Sequence, residues 1–228
     1  MLEEFPVGIN ERLMSMRIPL VKGNCVTLVS VYAPTMCSTN DEKVSFYHAL
    51  KVIIRNIPRA DKVIVLGNFN ARVGRDFNTW TVIGKHGVGK CNSNGMILLQ
   101  MCEELRLCVI NTMFQQKNKF KTTWMHPASK EWHILDYILV RMSDRRDVWC
   151  VRVLRGVECW TDHCLVRAKV KLITKRKIRA AGITLPKRLN VARLSCNGVK
   201  RTLREEMNVA DFGEDWSTLK KSVYDIGR

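Results

Sequence analysis

The sequence predicts a layered α/β domain followed by a basic tail. Strand-like runs alternate with helical segments of ten or more residues, a pattern typical of sheets covered by helices. Polar residues cluster at the ends of several runs, where layered α/β folds usually place functional sites. The chain has 228 residues, of which 46% are hydrophobic. This length suits one domain with an extension, because a single core stops growing at roughly 250–300 residues.

The first elements alternate between strand and helix. Cys25–Tyr32 is rich in valine and predicts a buried strand. Thr39 and Glu42 have the spacing of a capping box, and the apolar residues that follow keep helical spacing, so a helix is predicted to begin there. Val63–Leu66 is a short apolar run that ends at Gly67, which predicts a second buried strand.

The later elements are one more helix and a series of strands. Asn94–Leu107 predicts a helix with its leucines facing inward. The strands predicted after it are Cys108–Ile110, Thr122–Trp124, Ile134–Val140, Val148–Leu154 and Cys164–Val170. Two short helices are predicted near the end of the chain, at Leu203–Val209 and Trp216–Val223.

Composition divides the chain into three segments. Residues 1–173 hold the α/β domain, residues 174–194 form a basic linker, and residues 195–228 form a short helical or disordered tail. The linker has no acidic residue, and its nucleic-acid-binding candidates are Lys175, Arg176, Lys177 and Arg179. Such a run is a solvated connector, a nucleic-acid arm or a nuclear-import patch, since composition alone does not separate these.

The charge of the chain indicates its class of partner. A formal net charge of +17 exceeds what solubility needs and favours a polyanion, with DNA as the expected partner and RNA as the alternative. No stretch approaches the roughly 18 consecutive apolar residues of a membrane span. The nine cysteines form no Cys-x-x-Cys pair, so neither a disulfide framework nor a zinc finger is indicated. We expect an intracellular chain, and the basic linker would suit the nucleus.

Four polar clusters follow the predicted strands and could perform chemistry. Their residues are Tyr32, Asn68, Asn70, Asp136, Asp162 and His163. Taken singly, each has a structural explanation, such as a turn, a cap or a packed ring. Their order along the chain is the stronger signal.

In that order, the clusters resemble the endonuclease/exonuclease/phosphatase superfamily of metal-dependent phosphodiesterases. The matching motifs are Tyr32-Ala33-Pro34, Gly67-Asn68-Phe69-Asn70, Trp132 through Asp136-Tyr137, and Thr161-Asp162-His163. Other motifs are similar to LINE-type retrotransposon endonuclease domains and their domesticated relatives: Val31–Thr35, Gly87–Gly89, Asn92–Gly95, Asn111–Phe114 and Thr123–Pro127. The resemblance runs from about Pro6 to Leu172.

The resemblance implies a fold and a cofactor. The fold would be a two-sheet, four-layer sandwich that here lacks its first strands and helix. Asp162 would supply an oxygen ligand to Mg²⁺, with Mn²⁺ as the alternative.

The resemblance also implies roles on the substrate. His163 would contact the phosphate or activate water, with Asp136 as its partner. Asn70 and Tyr32 would hydrogen-bond the scissile phosphate. Trp132 would pack beside the cleavage pocket or against a base, unless it is simply a core residue.

Two departures from the family pattern leave two functions open. Asn68 stands where the family has Asp, and an amide cannot take a proton from water; losing a general base costs about 10²- to 10⁴-fold in rate. The Glu that anchors the metal in the family lies upstream of anything matched here. One function is a Mg²⁺-dependent endonuclease that nicks DNA. The alternative is a catalytically inactive, domesticated remnant that binds nucleic acid through phosphate contacts.

Overall fold

The computed structural model describes residues 6–21, 24–157 and 160–172, together with 197, 198, 200, 201, 204 and 205. The chain separates into two compact units, Met1–Arg176 and Lys177–Arg228. In the second unit the described residues are helical, and Arg201 pairs with Glu205 one turn later at 3.9 Å.

Several sequence predictions lie outside the described residues. These are the basic linker with Lys175, Arg176, Lys177 and Arg179, the helix Trp216–Val223, and most of the helix Leu203–Val209. The boundaries of the three predicted segments therefore stay predictions.

A six-stranded mixed sheet forms the centre of the first unit. Its strands in spatial order are β1 (Val7–Asn10), β2 (Leu13–Pro19), β3 (Cys25–Tyr32), β4 (Lys62–Asn68), β10 (Asp136–Arg141) and β7 (Leu107–Val109). The pair β3–β4 is parallel, and the other neighbouring pairs are antiparallel. A parallel connection needs a crossover, and the helix between β3 and β4 supplies it.

Three antiparallel ribbons complete the strands. They are β5 (Val73–Gly74) with β6 (Val88–Cys91), β8 (Trp124–Met125) with β9 (Trp132–His133), and β11 (Val148–Leu154) with β12 (Leu165–Val170). Short 3₁₀ turns occupy Ile110–Thr112, Asn118–Phe120 and Met142–Asp147.

The predicted capping box starts the first helix, α1 (Asn40–Asn56). The Thr39 hydroxyl accepts the Glu42 N–H at 3.2 Å, and the Glu42 carboxylate accepts the Thr39 N–H at 2.9 Å. These two bonds satisfy N–H groups that have no partner within the helix. The helix therefore begins where the sequence predicts.

The second helix, α2 (Ser93–Glu104), ends earlier than the sequence predicts. Asn92 caps it by accepting the Gly95 N–H at 2.8 Å. Arg106 then has a φ of 52°, the left-handed conformation that commonly follows a helix end. Leu107 consequently begins β7, so its placement in the helix was wrong, because apolar spacing alone does not mark a turn of this kind.

An apolar core lies on each face of the central sheet. Alternate residues of β4 divide between them, because successive strand side chains point to opposite faces. Val63 and Val65 face α1 and α2 in one core, whereas Ile64 faces β11 and β12 in the other. The first unit is therefore layered: α1 and α2 lie on one face of the central sheet, and the ribbon of β11 and β12 lies on the other.

This is the mixed α/β fold that the sequence predicts. The four-layer sandwich and the missing opening elements stay predictions. No helix in the described part of the chain is long and apolar enough to cross a membrane. The cysteines that the structure describes are all free thiols.

Candidate functional site

Three predicted site residues lie side by side at one end of the central sheet. Tyr32 is opposite Asn68 in the parallel pair β3–β4, and Asn68 is opposite Asp136 in the antiparallel pair β4–β10. Side chains of directly opposed residues share a face, with Cβ atoms about 4.5–5.5 Å apart in an antiparallel pair. These three side chains therefore form one row, in which Tyr32 is half exposed.

Asn70 folds back onto this row. Its backbone N–H donates to the Asn68 side-chain oxygen at 2.8 Å, and its side-chain amide donates to the Ala33 carbonyl at 2.7 Å. The φ of Asn70 is 46°, a left-handed conformation that Asn tolerates better than most residues. Buried Asn94 then donates to the carbonyls of Asn70 and Pro34, tying together the loops after β3 and β4.

His163 and Asp136 form a direct pair at this edge. The His163 Nδ1 lies 2.8 Å from an Asp136 carboxylate oxygen, with only about a fifth of either side chain exposed (21% and 18%). The hydrogen bond to Asp136 raises the pKa of His163, although burial opposes the effect. With Nδ1 donating to the carboxylate, Nε2 is the ring atom that can reach a substrate.

Trp124 of β8 holds Asp162 beside this pair. The indole N–H donates to an Asp162 carboxylate oxygen at 2.7 Å, and the Thr161 hydroxyl donates to the other at 3.3 Å. The hydrogen bond from Trp124 lowers the pKa of Asp162, so the exposed carboxylate is ionised. Trp124 also forms a backbone bridge with His163, and their rings lie 6.3 Å apart.

Two buried polar side chains fix the backbone of Asp136. The Thr123 hydroxyl accepts the N–H groups of Leu135 at 3.0 Å and Asp136 at 3.3 Å. The Asn111 amide donates to the Asp136 carbonyl at 3.1 Å and accepts the Ile138 N–H at 2.8 Å. The backbone of β10 is therefore fixed on both sides of Asp136.

Trp132 lies on the neighbouring strand β9. The Arg155 guanidinium lies 3.7 Å from the centre of its ring. Trp132 and Arg155 line a groove of about 230 Å³ together with Lys119 and Thr122. Trp132 is therefore a partly exposed groove residue rather than a core residue.

No protein-family model matches the chain. Craniofacial development protein 2 of Bos taurus is 32% identical over 166 residues, which cover 73% of this chain and 28% of that protein. The Tragulus javanicus protein of the same name is also 32% identical over 166 residues, covering 73% of this chain and 29% of its own. The chain thus spans a little over a quarter of the length of these curated relatives.

Solved structures share the fold. NExo from Neisseria, a 3′ phosphatase bound to a product DNA hairpin, matches with a TM-score of 0.51 and 22% identity, covering 72% of this chain and 66% of its own. The endonuclease domain of TRAS1, a telomere-specific non-LTR retrotransposon, matches with a TM-score of 0.50 and 16% identity, covering 70% and 63%. The chain is related to the endonuclease/exonuclease/phosphatase superfamily.

Asn68 stands where the superfamily motif Gly-Asp-x-Asn has Asp, and its side chain takes part in a turn. Its side-chain oxygen accepts the Asn70 N–H, which closes a turn that Asp would close equally well. The substitution therefore keeps the shape of the loop and changes its charge.

The structure brings most of the predicted site residues to one edge of the sheet. The row of Tyr32, Asn68 and Asp136 carries Asn70 on one side and His163 on the other, and Asp162 lies next to His163. Their chemical roles, and that of Trp132, stay predictions.

Sequence reasoning gave no role to Thr123, Trp124 or Asn111, which position the acidic residues. All three fall in the segments Asn111–Phe114 and Thr123–Pro127, whose resemblance to retrotransposon endonuclease domains was noted from the sequence. Membership of these segments is the signal that the sequence carried, but it does not distinguish a purely structural residue from one that positions the site.

Proposed function

We propose that this domain is a DNA-endonuclease-like domain that binds a phosphodiester of the DNA backbone at the row formed by Tyr32, Asn68 and Asp136 with His163. The observation that carries the proposal is the contact between His163 and Asp136 at the sheet edge. Support comes from the fold shared with NExo, bound to a DNA hairpin, and with the TRAS1 endonuclease domain.

His163 would provide the charged contact to the phosphate. Because its pKa is raised, the imidazolium persists to higher pH than in a solvated histidine. A hydrogen bond from an ionised donor to a phosphate oxygen is shorter and stronger than a neutral one. Asp136 would hold the ring so that Nε2 points toward the phosphate, and the Tyr32 hydroxyl and the Asn70 amide would bond its other oxygens.

Trp132 and the basic linker would extend the contact along the nucleic acid. Trp132 would meet the DNA beside the row, while Lys175, Arg176, Lys177 and Arg179 would add phosphate contacts from the linker. A domain at residues 1–173, a linker at 174–194, a nuclear location and the four-layer sandwich are the predictions that accompany this function.

Mg²⁺ is the cofactor that the superfamily implies, with Mn²⁺ as the alternative. Within the described ranges, no group of three or more His, Cys, Asp or Glu side chains is arranged to hold a metal ion. The carboxylate of Asp162 already accepts hydrogen bonds from Trp124 and Thr161. The described residues therefore do not make a complete metal site.

Hydrolysis of the bound phosphodiester is the second candidate function. The intact pair of His163 and Asp136 favours it, because a positioned imidazole can transfer a proton. Asn68 favours binding without turnover, because an amide cannot act as a general base. The inactive, domesticated remnant predicted from the sequence corresponds to binding alone.

DNA binding by His163→Ala tests the proposed site. We expect its dissociation constant for a DNA duplex, measured in EDTA at pH 6, to rise about tenfold, since a charged hydrogen bond contributes about 1.5–3 kcal/mol. The rise should shrink at pH 9, because the unmodified protein also loses the imidazolium as pH exceeds the raised pKa of His163.

His48→Ala is the matched control, because His48 is exposed on α1. It should leave binding unchanged at both pH values. Equal affinities of the His163 and His48 variants at pH 6 would contradict the proposal. Plasmid nicking with added Mg²⁺ or Mn²⁺ then decides between the two functions: nicking lost only in His163→Ala supports hydrolysis, and binding without nicking supports the remnant.

A further inference from the structure

The ribbon of β11 and β12 presents a basic outer face. Along β12, Val166, Ala168 and Val170 pack against the second core, whereas Leu165, Arg167 and Lys169 are exposed. This alternation is what a strand with one buried face produces. The cations therefore all stand on the side away from the sheet.

Arg152 of β11 lies directly opposite Arg167 of β12 on this face. Like charges directly opposite each other destabilise a strand pair. Neither strand contains Asp or Glu, and within the described residues no carboxylate forms an ion pair with either arginine or with Lys169. The ribbon thus concentrates positive charge without a counter-charge of its own.

Two arginines of β11 and the turn after it stack on aromatic rings. Arg152 lies 3.7 Å from the centre of the Phe120 ring, and Arg155 lies 3.7 Å from that of Trp132. Stacking on a ring holds a guanidinium plane in place. Arg155 also donates to the Lys119 carbonyl and to the Thr122 hydroxyl, whereas Arg152 is exposed beside its ring. Trp149 of β11 is also exposed by 63%. A face that only keeps the ribbon soluble requires neither opposed arginines nor these rings.

We propose that the outer face of β11–β12 is a second contact surface for the phosphate backbone of a nucleic acid. Arg167 and Lys169 are two residues apart, so they stand about 6.8 Å apart along the strand. β12 starts two residues after His163, and Lys169 follows His163 by six residues, a reach of up to about 20 Å. The surface therefore leads away from the proposed DNA site, and Arg152, Arg167 and Lys169 are not residues of that site.

The salt dependence of binding measures this surface. Each phosphate contact adds about 0.9 to the slope of log affinity against log salt concentration. In the full chain, the double substitution Arg167→Gln with Lys169→Gln should make that slope shallower by about two for a 20-base-pair DNA duplex in EDTA. An RNA duplex of the same length tells whether the surface distinguishes the two polymers, and the same change with either supports the proposal.

The control removes the same charge elsewhere. Arg59→Gln with Arg106→Gln changes two exposed cations that line a separate groove near the starts of β4 and β7, and it should leave the slope unchanged. Equal slope changes in the two double variants would mean that net charge alone acts, and no change in the ribbon variant would mean that the ribbon makes no contact. Either result overturns the proposal, as does ribbon-dependent binding to phosphatidylserine vesicles without binding to DNA or RNA.

The His163→Ala variant tests the proposed site separately from the ribbon surface. His163→Ala should keep the salt slope close to that of the unmodified protein, losing about one contact at most. A ribbon effect without a His163 effect would therefore support this surface while contradicting the site. Circular dichroism of each variant confirms that the fold is retained.

Discussion

At the scale of single residues, Asp136 joins the sheet to the proposed site. Its backbone belongs to β10, where Thr123 and Asn111 fix it, and its carboxylate reaches the His163 ring. A site residue held at both its backbone and its side chain needs little rearrangement to act. The central sheet therefore sets the position of His163 through Asp136.

Asp136→Asn tests the charge in this pair. Since the pKa of His163 is raised in the folded protein, the pair stabilises the fold below about pH 6.5, the ordinary histidine value, and this stabilisation disappears as pH rises through the folded pKa. The amide should lower the free energy of unfolding by about 1–2 kcal/mol at pH 5.5 and by much less at pH 9.

Urea unfolding at the two pH values measures this difference. Glu103→Gln, an exposed carboxylate on α2, should show no such pH dependence. A larger destabilisation at pH 9 than at pH 5.5 would mean that the charge of His163 is not stabilised by Asp136.

The charged and turn-forming site residues could be predicted from the sequence. The residues that hold them by hydrogen bonds could not. The pairing of Asp136 with His163 was implied by the family resemblance, and the structure places the two side chains in contact. Thr123 and Trp124 act through one hydroxyl and one indole N–H, and residues of these types are more often structural than functional. Only the tertiary contacts distinguish the two cases, so no local pattern could assign them.

At the scale of elements, β4 depends on a glycine one residue before the site. Gly67 has a φ of 141°, and a Cβ at this position would lie 2.0 Å from the Val31 carbonyl oxygen of β3. Neither backbone can move without breaking the ladder that aligns Tyr32 with Asn68. The close approach therefore requires glycine.

Gly67→Ala should lower the free energy of unfolding by at least about 2–3 kcal/mol, because overpacking and backbone strain add at this position. Gly8→Ala in β1 is the matched control, since a Cβ there meets no atom within 4 Å. The urea midpoints of the two variants give the comparison. A Gly67 variant as stable as the Gly8 variant would show that β3 and β4 can separate slightly at no cost.

The elements themselves were predicted unevenly. β3, β4 and α1 follow the predicted pattern closely, because a buried strand and a capped helix have strong local signals. β1 and β2 had no prediction. All four residues of β1 are exposed, and β2 has one buried residue, Leu13, so neither has a clear apolar face. An edge strand obtains its structure from its neighbour, and a single sequence does not show that neighbour.

At the scale of the whole molecule, the two cores differ in what covers them. Two helices cover one face of the central sheet, whereas in the described part of the chain the ribbon of β11 and β12, with Ile110, Met113 and Phe114 beside it, covers the other. Within that part, β12 pairs with β11 alone. A two-stranded ribbon is only marginally stable without packing, so its stability comes from the second core.

Native-state hydrogen exchange should therefore resolve two levels of stability in the first unit. β4 is paired on both sides and its residues 63–65 are buried, so the amides of these residues should exchange only when the whole unit unfolds. β12 has one partner strand and an exposed face, so its amides should exchange at least about tenfold faster, a difference of about 1.4 kcal/mol. If β12 exchanged as slowly as β4, the ribbon would be as firmly held as the sheet. If a DNA duplex slowed β12 and not β4, the stabilisation would come from the ribbon's own contact with the nucleic acid.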